Sequence, residues 1–413
     1  MIELNPNSND PRLNCSEHVR GPKIVLYSHD TMGLGHLRRQ LLVASALCRL
    51  EPQPTILMIC GAKEVGAFAF PPGLDCLALP SIEKSALGEY RSRRLDVPLS
   101  ELIRFRSASI RTAMEAFDPD LVVVDKVPAG FRGELLPALR WLKARGRATC
   151  VLGLREILDE ASIAIREWKR DCCDALIDEY YQHLWVYGDQ AVFDTAREYE
   201  FTPGTVRKTA YTGYLNAMEG HLEPLRPAPR GEKTALCVVG GGDDGVALAR
   251  TFAAATLPDG YAGVLVTGPF MSASVREEIK HAAACSGRLE VHEFVTEPER
   301  FITRADCVIS MGGYNTVCEV LAAGKPLLTV PRTDPRREQL IRAQRMQSLG
   351  LLDYLLPDEL TPASLSRWIN SARAPRRDAR SVVRFDGLSR VRELTRGLLN
   401  RHDEHKEVGL AAG

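Results

Sequence analysis

A histidine beside two glycines gives the first chemical signal in the sequence. The segment SHDTMGLGHLRRQ contains Gly33, Gly35 and His36 directly after an apolar run. Glycines let the backbone approach a ligand, and a helix that starts near His36 directs free N–H groups at that space. An imidazole there can act as a general base or as an electrostatic partner. The alternative is that His36 only caps the helix and that Arg38 and Arg39 are solvated.

Two carboxylates stand at similar positions elsewhere in the chain. Asp125 ends the apolar run DLVVVD, where a carboxylate is well placed to act as a base or to cap the next turn. Glu319 lies one turn into an expected short helix. It fits a capping box with Thr316, but it also fits a carboxylate that accepts hydrogen bonds from a ribose. Both interpretations stay open for each residue.

A second glycine-rich loop follows the run ALCVV. Gly240, Gly241 and Gly242 are consecutive, which is typical of a phosphate-binding turn. Asp243 and Asp244 follow them. These carboxylates can cap the next helix but would repel a phosphate on the same amides. A metal site is not favoured, because no histidine or third acid is near in sequence.

The third loop, SMGGYNTVCEVLAAGKPLLTV, is the most informative segment. Gly312 and Gly313 follow an apolar run and precede the expected short helix. A later helix begins after Pro335, and Glu338 and Gln339 stand near its N-terminus. These two are either ordinary polar helix residues or ligand contacts in the same cleft.

The elements that must position these loops alternate between short apolar strands and amphipathic helices. Strands that are apolar on both faces, with helices between them, predict parallel sheets built from right-handed βαβ units. Two such series are separated by a proline-rich segment. The expected fold class is α/β, with two doubly wound Rossmann-like lobes and a cleft between them. The predicted divisions are a disordered tail (1–20), an N-terminal Rossmann-like lobe (21–215), a linker (216–233), a C-terminal lobe (234–375) and a helix returning toward the N-terminal lobe before a flexible tail (376–413).

Composition narrows the class of protein. The chain has 413 residues, 53 basic and 53 acidic side chains, 45% hydrophobic residues and 26% charged residues, as expected of a globular protein. A zero net charge argues against a nucleic-acid-binding function, since it provides no long-range attraction for polyanions. The eleven cysteines lie mostly in apolar runs, which favours a reducing compartment. No stretch approaches the ~20 apolar residues of a membrane span, so we expect a cytoplasmic protein.

The third loop resembles the donor-binding signature of glycosyltransferases with the two-lobed GT-B fold, and the nearest group is family 28. That family includes the enzyme that adds N-acetylglucosamine to lipid-linked muramyl-pentapeptide. The GLGH segment and the GGGDDG segment resemble its two glycine loops in order and spacing over roughly residues 23–355. The family's usual Gly-Gly-Ser turn is Gly-Gly-Gly-Asp-Asp here, and its Gln-Gln-like pair is Glu338–Gln339.

The resemblance implies a nucleotide-sugar donor, a UDP-sugar, bound by the C-terminal lobe. By position, the implied contacts are Glu319 with the ribose, Gly313, Asn315 and Thr316 with the phosphates, Glu338 and Gln339 with the sugar hydroxyls, and Val295 with the base. The glycines at 33, 35, 240, 241, 242 and 312 would line the donor site, and His36 would lie near the reacting centre.

The acceptor region cannot be inferred from the resemblance. The loops that offer Asp125, Lys126, Arg155 and Glu156 open onto the cleft. The segment 81–112 is rich in arginine with apolar residues between. It is expected to form a solvated amphipathic helix, or else a surface that binds an anionic or lipid-diphosphate acceptor at a membrane. The arginines are Arg91, Arg93, Arg94, Arg104, Arg106 and Arg111.

The sequence thus favours a glycosyltransferase that uses no metal and no cofactor, with His36 or Asp125 as the base. The acceptor is unknown and is lipid-linked, a saccharide or a small molecule, with peripheral contact at the inner membrane face as an open option. One alternative is a nucleotide-sugar hydrolase or epimerase with the same donor site. Another is a non-catalytic nucleotide-sugar-binding protein.

Overall fold

The structure, a computed structural model, describes residues 21–29, 35–62, 65–66, 68–84, 89–219, 233–241, 244–295, 297–372 and 377–411. The predicted tail at 1–20 and most of the predicted linker lie outside these residues. Among the described helices, none is both long and apolar enough to cross a membrane.

The N-terminal lobe is a parallel seven-stranded sheet with helices packed on it. Its strands lie in the order β3-β2-β1-β6-β7-β8-β9, and a separate antiparallel hairpin joins β4 to β5. In chain order the elements are β1 (Lys23–Ser28), α1 (Gly35–Leu47), β2 (Thr55–Cys60), β3 (Leu74–Ala78), β4 (Ile82–Lys84), β5 (Tyr90–Ser92), α2 (Leu99–Phe117), β6 (Leu121–Asp125), α3 (Leu136–Arg145), β7 (Thr149–Arg155), α4 (Ala161–Arg170), α5 (Cys173–Tyr180), β8 (His183–Tyr187), α6 (Thr195–Glu198), α7 (Pro203–Lys208) and β9 (Thr209–Tyr211).

The C-terminal lobe repeats this design with six parallel strands in the order β12-β11-β10-β13-β14-β15. Its elements, with the helices that follow it, are β10 (Lys233–Val238), α8 (Val246–Ala253), β11 (Tyr261–Val266), α9 (Ala273–Ser286), β12 (Leu289–His292), α10 (Glu299–Arg304), β13 (Cys307–Ser310), α11 (Tyr314–Ala322), β14 (Leu327–Thr329), α12 (Glu338–Ser348), β15 (Asp353–Tyr354), α13 (Pro362–Ser371), α14 (Ala379–Val382) and α15 (Gly387–Ala411).

Both sheets reverse their strand order at one place, and ligands in such folds bind there, beyond the carboxyl ends of the strands. In the N-terminal lobe the reversal lies between β1 and β6, which pair in parallel from Ile24 with Leu121 to Tyr27 with Val124. In the C-terminal lobe it lies between β10 and β13. The loops after these four strands therefore hold most of the predicted site residues.

The chain passes between the lobes at two places that lie side by side. The segment after β9 leads toward the C-terminal lobe, and the segment between α14 and α15 leads back. The Tyr214 N–H donates to the Arg384 carbonyl at 2.8 Å, and the Gly387 N–H donates to the Tyr214 carbonyl at 3.2 Å. Helix α15 then packs on α1 of the N-terminal lobe. A side chain at Gly387 would collide with this pairing, since a Cβ there would lie 2.6 Å from the Tyr214 carbonyl oxygen.

The predicted α/β fold with two Rossmann-like lobes is confirmed, and the long apolar strands begin and end within two residues of their expected positions. The prediction for the segment 81–112 is wrong in part. It contains the β4–β5 hairpin, and its helix begins only at Leu99. The C-terminal segment beyond residue 358 is helical and divides into α13, α14 and α15.

Arg106 is not available to an acceptor, because it is fully buried under the first strand. Its Nε donates to Glu134 Oε2 at 2.6 Å and its Nη2 to Glu134 Oε1 at 2.7 Å. Tyr27 donates its hydroxyl to the same carboxylate at 2.6 Å, and Arg106 also donates to the Pro80 carbonyl at 2.7 Å. This buried pair ties α2 to the core of the N-terminal lobe.

Replacing Arg106 by methionine should lower the free energy of unfolding by roughly 3–5 kcal/mol, because the Glu134 carboxylate would stay buried without its cation. Urea denaturation followed by tryptophan fluorescence measures the change. The matched control is Arg104→Met on the same helix, where the arginine is exposed. It should alter stability by no more than ~0.5 kcal/mol. Equal effects of the two variants would contradict the structural role of the pair.

Candidate active site

His36 and Asp125 form a dyad at the strand-order reversal of the N-terminal lobe. His36 is the second residue of α1, and Asp125 is the last residue of β6. Nδ1 of His36 is hydrogen-bonded to Oδ2 of Asp125. Nδ1 also lies 2.8 Å from Arg39 Nη2. An ionised carboxylate can only accept, so the tautomer that satisfies the shorter contact with Asp125 carries its proton on Nδ1 and its free lone pair on Nε2, and Arg39 directs its protons at the carboxylate. The His36 side chain is 15% exposed and that of Asp125 is fully buried.

Arg39 anchors the dyad from the next turn of α1. Its Nη2 donates to Asp125 Oδ1 and Oδ2, each at 2.7 Å, and its Nε donates to Oδ1 at 3.0 Å. Burial alone would raise the pKa of Asp125, but the charges and hydrogen bonds of Arg39 and His36 hold it well below its usual range. Asp125 is thus a buried anion with both oxygens occupied, and the interpretation of Arg39 as a solvated side chain is wrong.

The imidazole of His36 is neutral at pH 7. Burial lowers its pKa to about 4, against the raising effect of Asp125. A second histidine, His29, lies beside it with the ring centroids 5.4 Å apart. His29 is 8% exposed, and its Nδ1 has no hydrogen-bond partner within the described ranges. Sequence reasoning missed His29, although its position directly after a buried strand was a usable signal.

Glu319 faces the N-terminal lobe across the boundary. Its Oε1 accepts a hydrogen bond from Arg38 Nη2 at 2.8 Å, while Oε2 is buried and has no partner among the described residues. Burial raises the pKa of Glu319 to about 7, opposed by the charge of Arg38. The capping-box interpretation is wrong, because α11 has Gly313 as its N-cap and no side chain caps it.

The N-terminus of α11 is open toward the dyad. Gly312 adopts a left-handed conformation with φ +77°, and a Cβ built on Gly313 would meet no atom within 4 Å. Asn315 donates from Nδ2 to the Gly35 carbonyl at 3.4 Å, which brings the first turn of α1 against the first turn of α11, while Oδ1 of Asn315 has no partner. Thr316 is half-buried in the same turn. Two helix N-termini therefore meet here, and such ends favour anions.

Glu338 and Gln339 accept hydrogen bonds from Arg332, which lies in a neighbouring loop. Arg332 donates from Nη2 to Glu338 Oε1 at 2.6 Å and from its backbone N–H to Gln339 Oε1 at 2.9 Å. Arg332 also donates to Asp244 Oδ2 at 3.0 Å. Asp244 does not cap α8, whose N-cap is Gly245 without a side-chain bond. Oε2 of Glu338 is buried and has no partner in the described part of the chain.

Some of the remaining predicted donor contacts lie within the described residues and others do not. Gly240 turns the chain after β10 with φ +70°, and Gly241 follows it. Val295 lies beyond β12 and packs partly buried against the core. Gly33 and Gly242 lie outside the described residues.

Lys126 and Arg155 lie at the carboxyl ends of the adjacent strands β6 and β7. Both are half-buried. Glu156, next to Arg155, is instead fully buried and accepts a hydrogen bond from Arg342 Nε of α12 at 2.7 Å. Glu156 therefore joins the two lobes, and its Oε1 is not available to a ligand.

No group of three or more acidic, histidine or cysteine side chains in the described part of the chain is arranged to hold a metal ion.

Sequence comparisons match parts of the chain to glycosyltransferases. Residues 236–384 match the glycosyltransferase family 28 C-terminal domain. An uncharacterised glycosyltransferase of Methanosarcina mazei is 26% identical over 201 residues, which are 47% of this chain and 51% of that protein. The match thus spans about half the length of that relative.

Solved structures resemble the chain over most of its length. The calicheamicin glycosyltransferase CalG4 has a TM-score of 0.58 at 19% identity, covering 92% of this chain and 99% of that one. The UDP-GlcNAc 2-epimerase of Neisseria meningitidis, solved with UDP-GlcNAc, has a TM-score of 0.57 at 14% identity over 92% of this chain and 99% of the other.

The chain therefore has the two-lobed GT-B fold of glycosyltransferases. Its C-terminal lobe matches family 28, so the predicted resemblance to that family is confirmed and the assignment to this class of enzymes is supported.

The depressed pKa of His36 predicts a pH dependence of stability. The unfolded chain protonates this histidine below pH ~6.5, whereas the folded protein resists protonation down to about pH 4. The stabilisation is therefore complete above pH 6.5 and is lost as the pH falls toward 4, by about 3 kcal/mol in all.

Urea denaturation of the wild type and of His36→Asn between pH 4 and 7 measures this loss as a difference. The opposite trend from Glu319, whose raised pKa makes its contribution fade as the pH rises toward 7, is common to both proteins and cancels. A difference that does not change with pH would show that the imidazole is not buried as described.

Proposed function

We propose that the protein is a glycosyltransferase that moves a sugar from a nucleotide-sugar donor, a UDP-sugar, to an acceptor hydroxyl without a metal ion. The observation that carries the proposal is the placement of a His36–Asp125 dyad against the open N-terminus of α11, where the lobes meet. In this arrangement a base would stand on one side and an anion-binding helix end on the other. The match of the C-terminal lobe to family 28 supports the same activity.

His36 would act as the base. Its free Nε2 takes the proton of the acceptor hydroxyl as the hydroxyl oxygen bonds to the anomeric carbon and the bond from that carbon to the diphosphate breaks. The charge of Asp125 stabilises the imidazolium that forms. Asp125 itself is a positioning residue, since its oxygens are occupied and its pKa lies well below its usual range.

The C-terminal lobe would hold the donor. The diphosphate gains negative charge as it leaves, and the amides at the N-termini of α1 and α11 can stabilise it in place of a divalent cation. Glu319 has one unpartnered oxygen with which to accept a ribose hydroxyl. Oε2 of Glu338 likewise has no partner among the described residues, and this free oxygen supports a contact with the donor sugar. The contact of Val295 with the base rests on the family resemblance.

A nucleotide-sugar epimerase is the second candidate. It is favoured by the likeness to the Neisseria meningitidis 2-epimerase structure, which extends over 92% of this chain. The family match of the C-terminal lobe favours sugar transfer over this reaction.

Two variants should separate chemistry from binding. His36→Ala should lower the turnover number by at least about a hundredfold and leave the dissociation constant of UDP-glucose within about twofold. Glu319→Ala should weaken UDP-glucose binding by about tenfold or more, because hydrogen bonds to a charged group contribute ~1.5–3 kcal/mol. Calorimetry measures binding, and UDP release in EDTA with a panel of saccharide, phenolic and lipid-linked acceptors measures turnover.

The matched controls are His281→Ala and Glu277→Ala, both exposed on α9. UDP release at the full rate with water alone would identify a hydrolase, and formation of the donor's 2-epimer would identify an epimerase. Tight binding with no turnover under any condition would leave a nucleotide-sugar-binding protein. Loss of UDP-glucose affinity in His36→Ala would remove His36 from the role of base.

We also propose that the protein makes peripheral contact with a membrane surface. It is supported by the outer face of α2, where Phe105 is 57% exposed beside the exposed Arg104. Arg104, Arg111 and Arg132 line a depression of about 370 Å³ beside it. Such a face can insert an aromatic ring between headgroups while its arginines contact anionic lipids.

Vesicle sedimentation tests this contact. The wild type should bind vesicles with 30% anionic lipid, and the double variant Arg104→Gln/Arg111→Gln should bind them roughly thirtyfold more weakly, at ~1 kcal/mol per arginine. Arg207→Gln, an exposed arginine of α7, should bind as the wild type does. Wild-type protein that stays in the supernatant would contradict membrane contact.

A further inference from the structure

Two cations at the lobe boundary have no carboxylate partner. Lys126 and Arg155 form no ion pair among the described residues, and Nε of Arg155 is buried without a hydrogen-bond acceptor. Their strands are neighbours in the sheet, and the Lys126 N–H donates to the Gly153 carbonyl at 2.8 Å. The side chains therefore start from adjacent strand ends on the acceptor side of the site.

The carboxylates around them are already neutralised. Asp125 is paired with Arg39, Glu156 with Arg342, and Glu338 with Arg332. Another nearby cation, Arg336, is held by Asp159 and Glu167 at 2.8 Å each. Lys126 and Arg155, both half-buried, are thus left without a hydrogen-bonded carboxylate of their own among the described residues, which is unfavourable unless an anion binds.

The backbone at Lys126 is strained. Lys126 has φ +66°, and the Val127 N–H donates to the Asp125 carbonyl at 2.8 Å, which closes a three-residue turn. A non-glycine residue in such a turn is uncommon and costs free energy. Such strain is typical of residues placed for binding. Burial and the charges of Arg155 and Arg336 lower the pKa of Lys126 to about 8, against the raising effect of Asp125 and Glu338.

We propose that Lys126 and Arg155 form an anion subsite that takes an acidic group, a phosphate or a carboxylate, of the acceptor. The inference rests on the proposed function and names the acceptor's chemical class. Lys126 and His36 are close enough to interact electrostatically, and both lie in the N-terminal lobe. An acceptor held by its acidic group there can present a hydroxyl to His36. The diphosphate of the donor has its own site at the N-terminus of α11.

Inorganic phosphate is the probe for the subsite. It is titrated by calorimetry into the wild type, Lys126→Met and Arg155→Gln, first alone and then with UDP at saturation to fill the donor site. With UDP bound, the wild type should bind phosphate, and each variant should bind it about tenfold more weakly or worse. Arg155→Lys should recover part of the affinity, and the exposed control Arg207→Gln should match the wild type.

The second measurement compares UDP, UDP-glucose and UDP-glucuronate on the same proteins. Their dissociation constants should stay within about twofold in both variants. Weaker UDP binding in Arg155→Gln would assign the cations to the donor diphosphate, and a selective loss of UDP-glucuronate would assign them to an acidic donor sugar. Either result overturns the proposal, as does wild-type protein that binds UDP but no phosphate.

The failure of the proposed function gives a different pattern. Wild-type protein that binds no UDP, yet binds phosphate with a dependence on Lys126 and Arg155, would refute the donor site and keep the anion subsite.

Discussion

The ion pair between Arg39 and Asp125 is the interaction on which the arrangement of this site depends. Both side chains are buried, so either one alone would be a costly unpaired charge. Together they fix α1 against the end of β6 and hold Asp125 ionised beside His36. The same helix then carries Arg38 to Glu319 and Gly35 to Asn315 in the other lobe. One buried pair thus sets the tautomer of the dyad and the register between the lobes.

Charge pairing also explains how the lobes meet. Among the described residues, most ion pairs between the lobes join arginines of the C-terminal lobe to carboxylates of the N-terminal lobe, with Arg342 on Glu156 fully buried and Arg336 on Asp159 and Glu167 partly so. An apolar cluster also runs through both lobes and includes Leu37 and Val317. Hydrogen-bonded pairs are directional, so they specify one relative orientation more sharply than an apolar contact does.

Much of the fold could be predicted from the sequence, because buried parallel strands are recognisable as short apolar runs. Strands such as β15, with two residues, and the β4–β5 hairpin lack that pattern and were missed. Partners in the site could not be predicted, since Arg39 and Asp125 are 86 residues apart and Arg38 and Glu319 are 281 apart. The capping-box pattern at Thr316 was misleading for a related reason: the helix starts at Tyr314, which places Glu319 beyond its first turn, facing the other lobe.

The two passages of the chain between the lobes have a mechanical consequence. They are hydrogen-bonded to each other at Tyr214, through Arg384 on one side and Gly387 on the other. Among the described residues, the two connections are therefore tied to each other at one point instead of at two separated ones. Chain segments tied in this way restrain sliding of one lobe past the other at that point, whatever the rotation about it.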